Sequence, residues 1–123
     1  MPRYVILEHT GTPTYKPGVH WDLMLEEGET LKTWELEAIP TPGATVLASS
    51  LPNHRLDYLV YEGPVSNNRG TVRRWDCGTY QTVREGGLEI EFQLTGRRLR
   101  GSLLFKQESP RSGGTWRVTL EPS

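Results

Sequence analysis

His20-Trp21-Asp22-Leu23-Met24-Leu25 alternates residue by residue. In an extended chain Trp21, Leu23 and Leu25 fall on one face, and His20, Asp22 and Met24 on the other. The apolar face predicts a core. His20 and Asp22 are then expected on the outward or cleft side of the sheet. Leu88–Thr95 repeats the pattern, with Leu88, Ile90, Phe92 and Leu94 opposite Glu89, Glu91 and Gln93. Working outward, strands are expected at Tyr4–Glu8, Leu31–Leu36, Gly70–Asp76, Thr79–Arg84, Leu99–Lys106 and Thr115–Leu120, with residues 44–50 a further short strand or an irregular loop. Gly and Pro punctuate the runs between. They predict a loop over Thr10–Gly18, a hairpin turn at Glu26–Glu29 around Gly28, a Pro-rich connection at Ile39–Gly43 and a polar segment at Pro52–Tyr58. Further turns are expected at Asn67-Asn68, Cys77-Gly78, Glu85–Gly87 and Gly96–Arg98, with an exposed loop tip at Glu108–Gly114. About eight short strands and almost no helix signal give a mainly β fold, either a small antiparallel barrel or a sandwich. Closure into a barrel would remove vulnerable sheet edges.

The 123 residues fit a single domain spanning 1–123. Such a domain buries a sizeable core without staples. Cys77 is the only cysteine, which excludes an internal disulfide and suits a reducing, cytoplasmic setting. Met1–Pro13 lacks a basic region followed by a long apolar run, so no secretory signal is expected. No apolar stretch approaches the roughly 20 residues of a membrane helix. Net charge is −1, yet it divides unevenly: residues 1–68 hold 4 Lys+Arg against 9 Asp+Glu, and residues 69–123 hold 10 against 6. A basic C-terminal half suits a phosphate backbone, unless folding intermixes the two halves.

His20 and Asp22 lie two residues apart on one strand face, about 6–7 Å between backbones, close enough to converge on one cation. His9 ends the preceding strand and reaches the same spot if the two strands pair antiparallel. Two imidazoles and one carboxylate suit Mn²⁺, Fe²⁺, Zn²⁺ or Co²⁺ better than Ca²⁺ or Mg²⁺. Three protein ligands leave positions open for water or substrate. The competing reading is ordinary surface polarity on the wet face of a strand. His54 and Tyr58, four residues apart in a polar segment, form a second candidate pair able to donate to phosphate oxygens. Arg73 and Arg74 point to opposite faces of their strand, and Arg97, Arg98 and Arg100 gather at a turn. Trp34, Trp75 and Trp116 are expected in the core, and Cys77, without an activating base, is expected to be inert.

The order of these elements resembles the 3′-phosphoesterase domain of bacterial DNA ligase D, including its stand-alone versions. The resemblance rests on E-H at Glu8-His9, H-W-D-L-M-L-E from His20, L-K-T-W from Leu31, N-H-R-L-D-Y from Asn53, Y-E-G-P-V from Tyr61, G-T-V-R-R-W-D-C-G-T-Y from Gly70, and the spaced Leu and Gly residues of Leu94–Leu103. It covers Tyr4 to Leu120. It implies a small β barrel with its active site in a groove on the outer surface. It implies a divalent metal, Mn²⁺ foremost with Zn²⁺ or Co²⁺ as alternatives, held by His9, His20 and Asp22. It implies phosphate-binding and catalytic roles for His54 and Tyr58. The implied activity removes a 3′-phosphate or a 3′-terminal ribonucleoside from primer–template DNA ends. A DNA ligase or polymerase partner and a monomeric, membrane-free protein go with it. The sequence departs from the family at Met24, where a phosphate-gripping Arg is usual. It departs again at Leu7, Ala38 and Val46, where Gln, Lys and Arg are usual. Lys16, Arg55 or one of Arg73 and Arg74 are the cations placed to compensate. These departures motivate the alternative of a catalytically impaired relative that binds metal, nucleic acid or protein, or a phosphatase or diesterase acting on something smaller than DNA.

Overall fold

The computed structural model describes residues 1–107 and 114–123. The expected loop tip at 108–114 therefore lies almost wholly outside the described residues. Nine strands form one antiparallel sheet: β1 (Arg3–Thr12), β2 (Tyr15–Glu27), β3 (Thr30–Leu36), β4 (Val46–Arg55), β5 (Gly63–Pro64), β6 (Thr71–Glu85), β7 (Glu89–Gly96), β8 (Arg100–Lys106) and β9 (Thr115–Pro122). Their order is β1-β2-β3-β4-β9-β8-β7-β6-β5, and β1 also pairs with β6. That last pairing closes eight strands into a barrel-like ring, with β5 attached to β6 at the side. One 3₁₀ turn, Leu56–Leu59, interrupts the β structure between β4 and β5.

Period-two alternation sorts the side chains into two apolar clusters. Tyr4, Ile6, Leu23, Leu25, Trp34, Leu36, Phe92, Leu94, Leu103 and Phe105 fill the ring. Val5, Leu7, Met24, Leu31, Leu59 and Val72 form a second cluster on the other face of β1 and β2, covered in part by Leu56, Tyr58 and Val65. The segment after β4 thus folds back over the outside of the ring. This makes Met24 a buried residue of the outer cluster, 2% exposed.

Four expectations need correction. The Thr10–Gly18 loop is the paired end of a long β1–β2 hairpin, with Thr12 opposite Tyr15 and a register shift between Thr10 and Thr12. Gly11 permits it, because a Cβ there would lie 1.8 Å from the Lys16 carbonyl oxygen. No turn occurs at Cys77-Gly78. β6 runs straight through them, pairing with β1 over its first half and with β7 over its second. Glycine suits a close backbone approach as well as a turn, and a Cβ on Gly78 would lie 2.1 Å from the Thr95 oxygen. Leu88 precedes β7 and is 39% exposed, whereas Ile90, Phe92 and Leu94 are buried as the alternation predicts. Residues 52–55, expected in a polar connection, extend β4. Trp34 is buried, and Trp75 and Trp116 pack against the core.

Candidate metal and phosphate site

The β1–β2 register sets His9 opposite His20 and Leu7 opposite Asp22. Facing partners in an antiparallel pair share a sheet face. His9, His20 and Asp22 therefore converge outside the ring. Their ligand atoms lie within 4.8 Å of one another. His9 Nδ1 is 3.5 Å from Asp22 Oδ2, and His20 Nε2 is 3.5 Å from Asp22 Oδ1. The two imidazole rings stand 4.5 Å apart, centroid to centroid. His9 and Asp22 are 7% and 5% exposed.

His9 Nε2 lies 2.6 Å from the Arg69 carbonyl oxygen. A carbonyl only accepts, so Nε2 carries the proton; Nδ1 then donates to Asp22 in the imidazolium and is the bare nitrogen, able to ligate a cation, in the neutral ring. This is the usual arrangement behind a metal-ligating histidine. Arg69 clamps its own loop, donating from Nε to the Ser66 carbonyl at 2.8 Å and from Nη2 to Ser66 Oγ at 3.0 Å. Burial pushes the Asp22 carboxyl up, but His20 and His9 more than reverse that and hold it at about 2. The hydrogen bond with Asp22 raises the His9 imidazolium, burial opposes it, and the Arg69 carbonyl adds to the rise. Asp22 Oδ1 is buried and has no hydrogen-bond partner. An unsatisfied buried carboxylate oxygen is costly, and a divalent cation would satisfy it. The donor set N, N, O⁻ therefore fits such an ion.

The three residues line a cleft of about 70 Å³, and His54 and Tyr58 line it too. The fold-back after β4 brings them there: Leu31 on β3 pairs with His54, and Tyr58 sits in the 3₁₀ turn. Their rings meet edge to face at 5.7 Å. His54 Nδ1 donates to the Pro52 carbonyl at 2.9 Å, leaving Nε2 to face a ligand. All five expected site residues thus share one cleft, on the outer surface of the ring.

Leu7 and Met24 also line the cleft. Ala38 and Val46 belong with the ring interior, so apolar residues there take no cation from the cleft. Among the cations placed to compensate, only Lys16 lines it. Arg55 borders an adjoining hollow with Tyr58. Arg73 pairs with Glu8 at 2.8 Å, and Arg74 lines a separate groove. Lys16 has a left-handed backbone, φ 44°, and its Nζ lies 2.5 Å from Glu35 Oε1. The same oxygen is 3.8 Å from His20 Nε2. Glu35 and Arg69 are site neighbours that the sequence reading missed. Glu35 was within reach of it: the alternation Leu31, Thr33, Glu35 opposes Trp34 and Leu36. The Arg69 carbonyl has no signature in residue type.

A family model described as the DNA ligase D 3′-phosphoesterase domain matches residues 10–107. The chain belongs to this family. The match takes in His20, Asp22, His54 and Tyr58 and stops one residue short of His9, whose place beside them comes from the β1–β2 register. No match to a curated protein was found. No described helix of this 3′-phosphoesterase family member is long and apolar enough to cross a membrane.

Proposed function

We propose that this protein is a divalent-metal-dependent 3′-phosphoesterase acting on DNA ends that carry a 3′-phosphate or a 3′-terminal ribonucleoside. The observation that carries the reading is the convergence of His9, His20, Asp22, His54 and Tyr58 on one cleft, in a chain of the DNA ligase D 3′-phosphoesterase family. Asp22 Oδ1, His9 Nδ1 and a nitrogen of His20 would hold the ion, with Mn²⁺ the preferred occupant. When bound, the ion supplies Lewis-acid polarisation of a phosphate oxygen and a water acidic enough to act near neutral pH.

The chain's own residues do the rest. The Arg69 carbonyl keeps His9 in the tautomer that exposes Nδ1. His54 has already committed its Nδ1 proton to Pro52. It can donate to a phosphate oxygen, or protonate a leaving oxygen, only from Nε2 and only as the imidazolium. Tyr58 offers a hydroxyl beside it to orient the phosphate. Leu7, Met24 and Val72 give the cleft an apolar lining, which strengthens the charge interactions made above it. Lys16 supplies positive charge from the hairpin side.

The test is conversion of a primer–template ending in a 3′-phosphate, and of another ending in one ribonucleotide, with Mn²⁺ or with chelator. A 3′-hydroxyl product formed only with metal, and lost in His20→Ala, supports the proposal. Absence of conversion while Mn²⁺ still binds would favour the alternative of a binding module, to which Met24 in place of the family's Arg points.

A further inference from the structure

Several cations of this chain are held by carboxylates. Arg3, Lys16, Arg73, Arg84 and Lys106 each lie within 4.0 Å of a carboxylate oxygen. Arg74, Arg97 and Arg98 are exposed, and among the described residues none of their guanidinium groups makes such a pair. All three border one groove of about 190 Å³, together with Trp75, Asp76 and Glu62.

The groove is built. The β1–β6 register pairs Ile6 with Asp76 and Leu7 with Arg74, so Trp75 is the extra residue of a bulge. Bulges re-aim side chains. Trp75 here receives the Arg98 guanidinium over its ring at 4.9 Å. The turn carrying Arg97 and Arg98 is pinned from below. The buried Asp76 carboxylate accepts the Tyr4 hydroxyl at 2.6 Å, the Arg98 N–H at 2.8 Å and the Leu99 N–H at 3.2 Å. The Arg97 N–H donates to the Cys77 carbonyl at 3.1 Å. Gly96 is required there, since a Cβ would lie 1.8 Å from the Tyr4 hydroxyl oxygen. The two acidic residues do not cancel the arginines. Asp76 turns its oxygens to three donors and Glu62 gives one oxygen to the Arg74 N–H at 2.9 Å, and three guanidinium groups against two carboxylates leave the lining net positive.

The groove neighbours the cleft along β6. Leu7 lines the cleft, and its β6 partner Arg74 lines the groove. Val72 lines the cleft on the same strand. At about 3.3 Å per residue, Arg74 is about 7 Å from Val72 along β6, and Cys77, which holds the arginine turn, is about 15 Å away. Phosphates of one duplex strand advance about 3.4 Å per nucleotide along the axis. We propose that Arg74, Arg97 and Arg98 grip backbone phosphates of the DNA strand roughly two to five nucleotides from the processed 3′ end. The proposal rests on the reading of the cleft as the 3′-end site. It assigns the groove to affinity and substrate length, not to the chemical step.

The test uses the full chain and a 5′-fluorescein-labelled primer–template whose primer ends in a 3′-phosphate. Anisotropy is followed in chelator across a NaCl series, for wild type, Arg97→Ala/Arg98→Ala, Arg97→Glu/Arg98→Glu and the control Arg84→Ala. Every phosphate that the protein no longer neutralises flattens the slope of log K against log salt by about 0.9, so the alanine pair should flatten it by about 2 and the glutamate pair by at least as much. Arg84→Ala should leave it unchanged. Steady-state rates are measured in parallel with Mn²⁺ on a 3′-phosphorylated dinucleotide and on the long primer. The alanine pair should raise KM about tenfold on the long primer only, with kcat unaltered on both. A wild-type salt slope in both arginine variants, with normal melting curves, would overturn the proposal. Absence of end-processing activity in wild type, with the slope still falling in the variants, would overturn the phosphoesterase reading and leave the groove standing as a DNA-binding surface.

Discussion

Tyr4→Phe removes one oxygen from the lock beneath the arginine turn. The Tyr4 hydroxyl donates to Asp76 Oδ2 at 2.6 Å in a buried setting. Asp76 keeps its two backbone donors, Arg98 and Leu99. The loss is therefore one hydrogen bond to a charged acceptor, worth about 1.5–3 kcal/mol. In a chain of 123 residues, a loss of about 2 kcal/mol corresponds to a fall in Tm of about 8 °C. The alkaline limb gives a second signature. Burial first, and then the bond to Asp76, raise the Tyr4 pKa well above its ordinary value of 10.0. A raised folded-state pKa means that the contribution is complete below the unfolded pKa and is lost as pH climbs beyond it. The stability gap between wild type and Tyr4→Phe should thus be constant to about pH 10 and then close by about 1.4 kcal/mol per pH unit. Urea unfolding at pH 7, 9, 10 and 11 measures both. Tyr80→Phe, which removes a hydroxyl bond to the Glu26 carbonyl at 2.7 Å, is the neutral-acceptor control at about 1 kcal/mol. A Tyr4→Phe loss no larger than that of Tyr80→Phe, or a gap that stays open above pH 10, would refute the lock.

Three further outcomes follow from the site. Asp22 is held at about 2, down from 3.8. A depressed folded-state pKa gives stability that is present above the unfolded value and lost as pH falls through the folded one, so metal-free protein should lose about 2 kcal/mol between pH 4 and 2; metal-free Asp22→Asn should lack that component in acid titrations followed by circular dichroism. His54→Ala should cost about 10²–10⁴-fold in kcat, and a wild-type kcat in that variant would remove His54 from the chemical step. Lys16→Ala should raise KM for the 3′-phosphorylated end about tenfold, about 1.4 kcal/mol, with Lys16→Arg close to wild type; equal KM values in all three proteins would remove Lys16 from the phosphate site.

The sequence made the site legible where periodicity carries it. His20 and Asp22 on the face opposite Trp21 and Leu23 follow from alternation alone, and His9 joins them once the two strands pair. The Thr10–Gly18 stretch hid the hairpin because its glycines and prolines are also loop residues. Only the close approach of Gly11 to the Lys16 carbonyl shows that they serve a bulged, paired ribbon. The same ambiguity concealed the continuity of β6 through Cys77-Gly78. Met24 raised a question that charge counting could not resolve. Lost cations at Ala38 and Val46 would have suggested a depleted site, but both residues belong with the ring interior, and the cations lining the cleft are Lys16, on a hairpin that reads as a loop, and Arg69. The arginine groove depends on a one-residue bulge and a buried three-donor carboxylate, and neither has a period to detect.

The most direct test of the metal-dependent site is Mn²⁺ stoichiometry and 3′-phosphatase rate measured on the same samples of wild type, His9→Ala, His20→Ala and Asp22→Ala, with Mn²⁺ followed by electron paramagnetic resonance. The account predicts a single tightly held Mn²⁺ in wild type, its loss in each variant, and a rate that tracks occupancy across the four proteins. Phosphatase activity that persists in the variants, or in wild type stripped of metal by chelator, would contradict it.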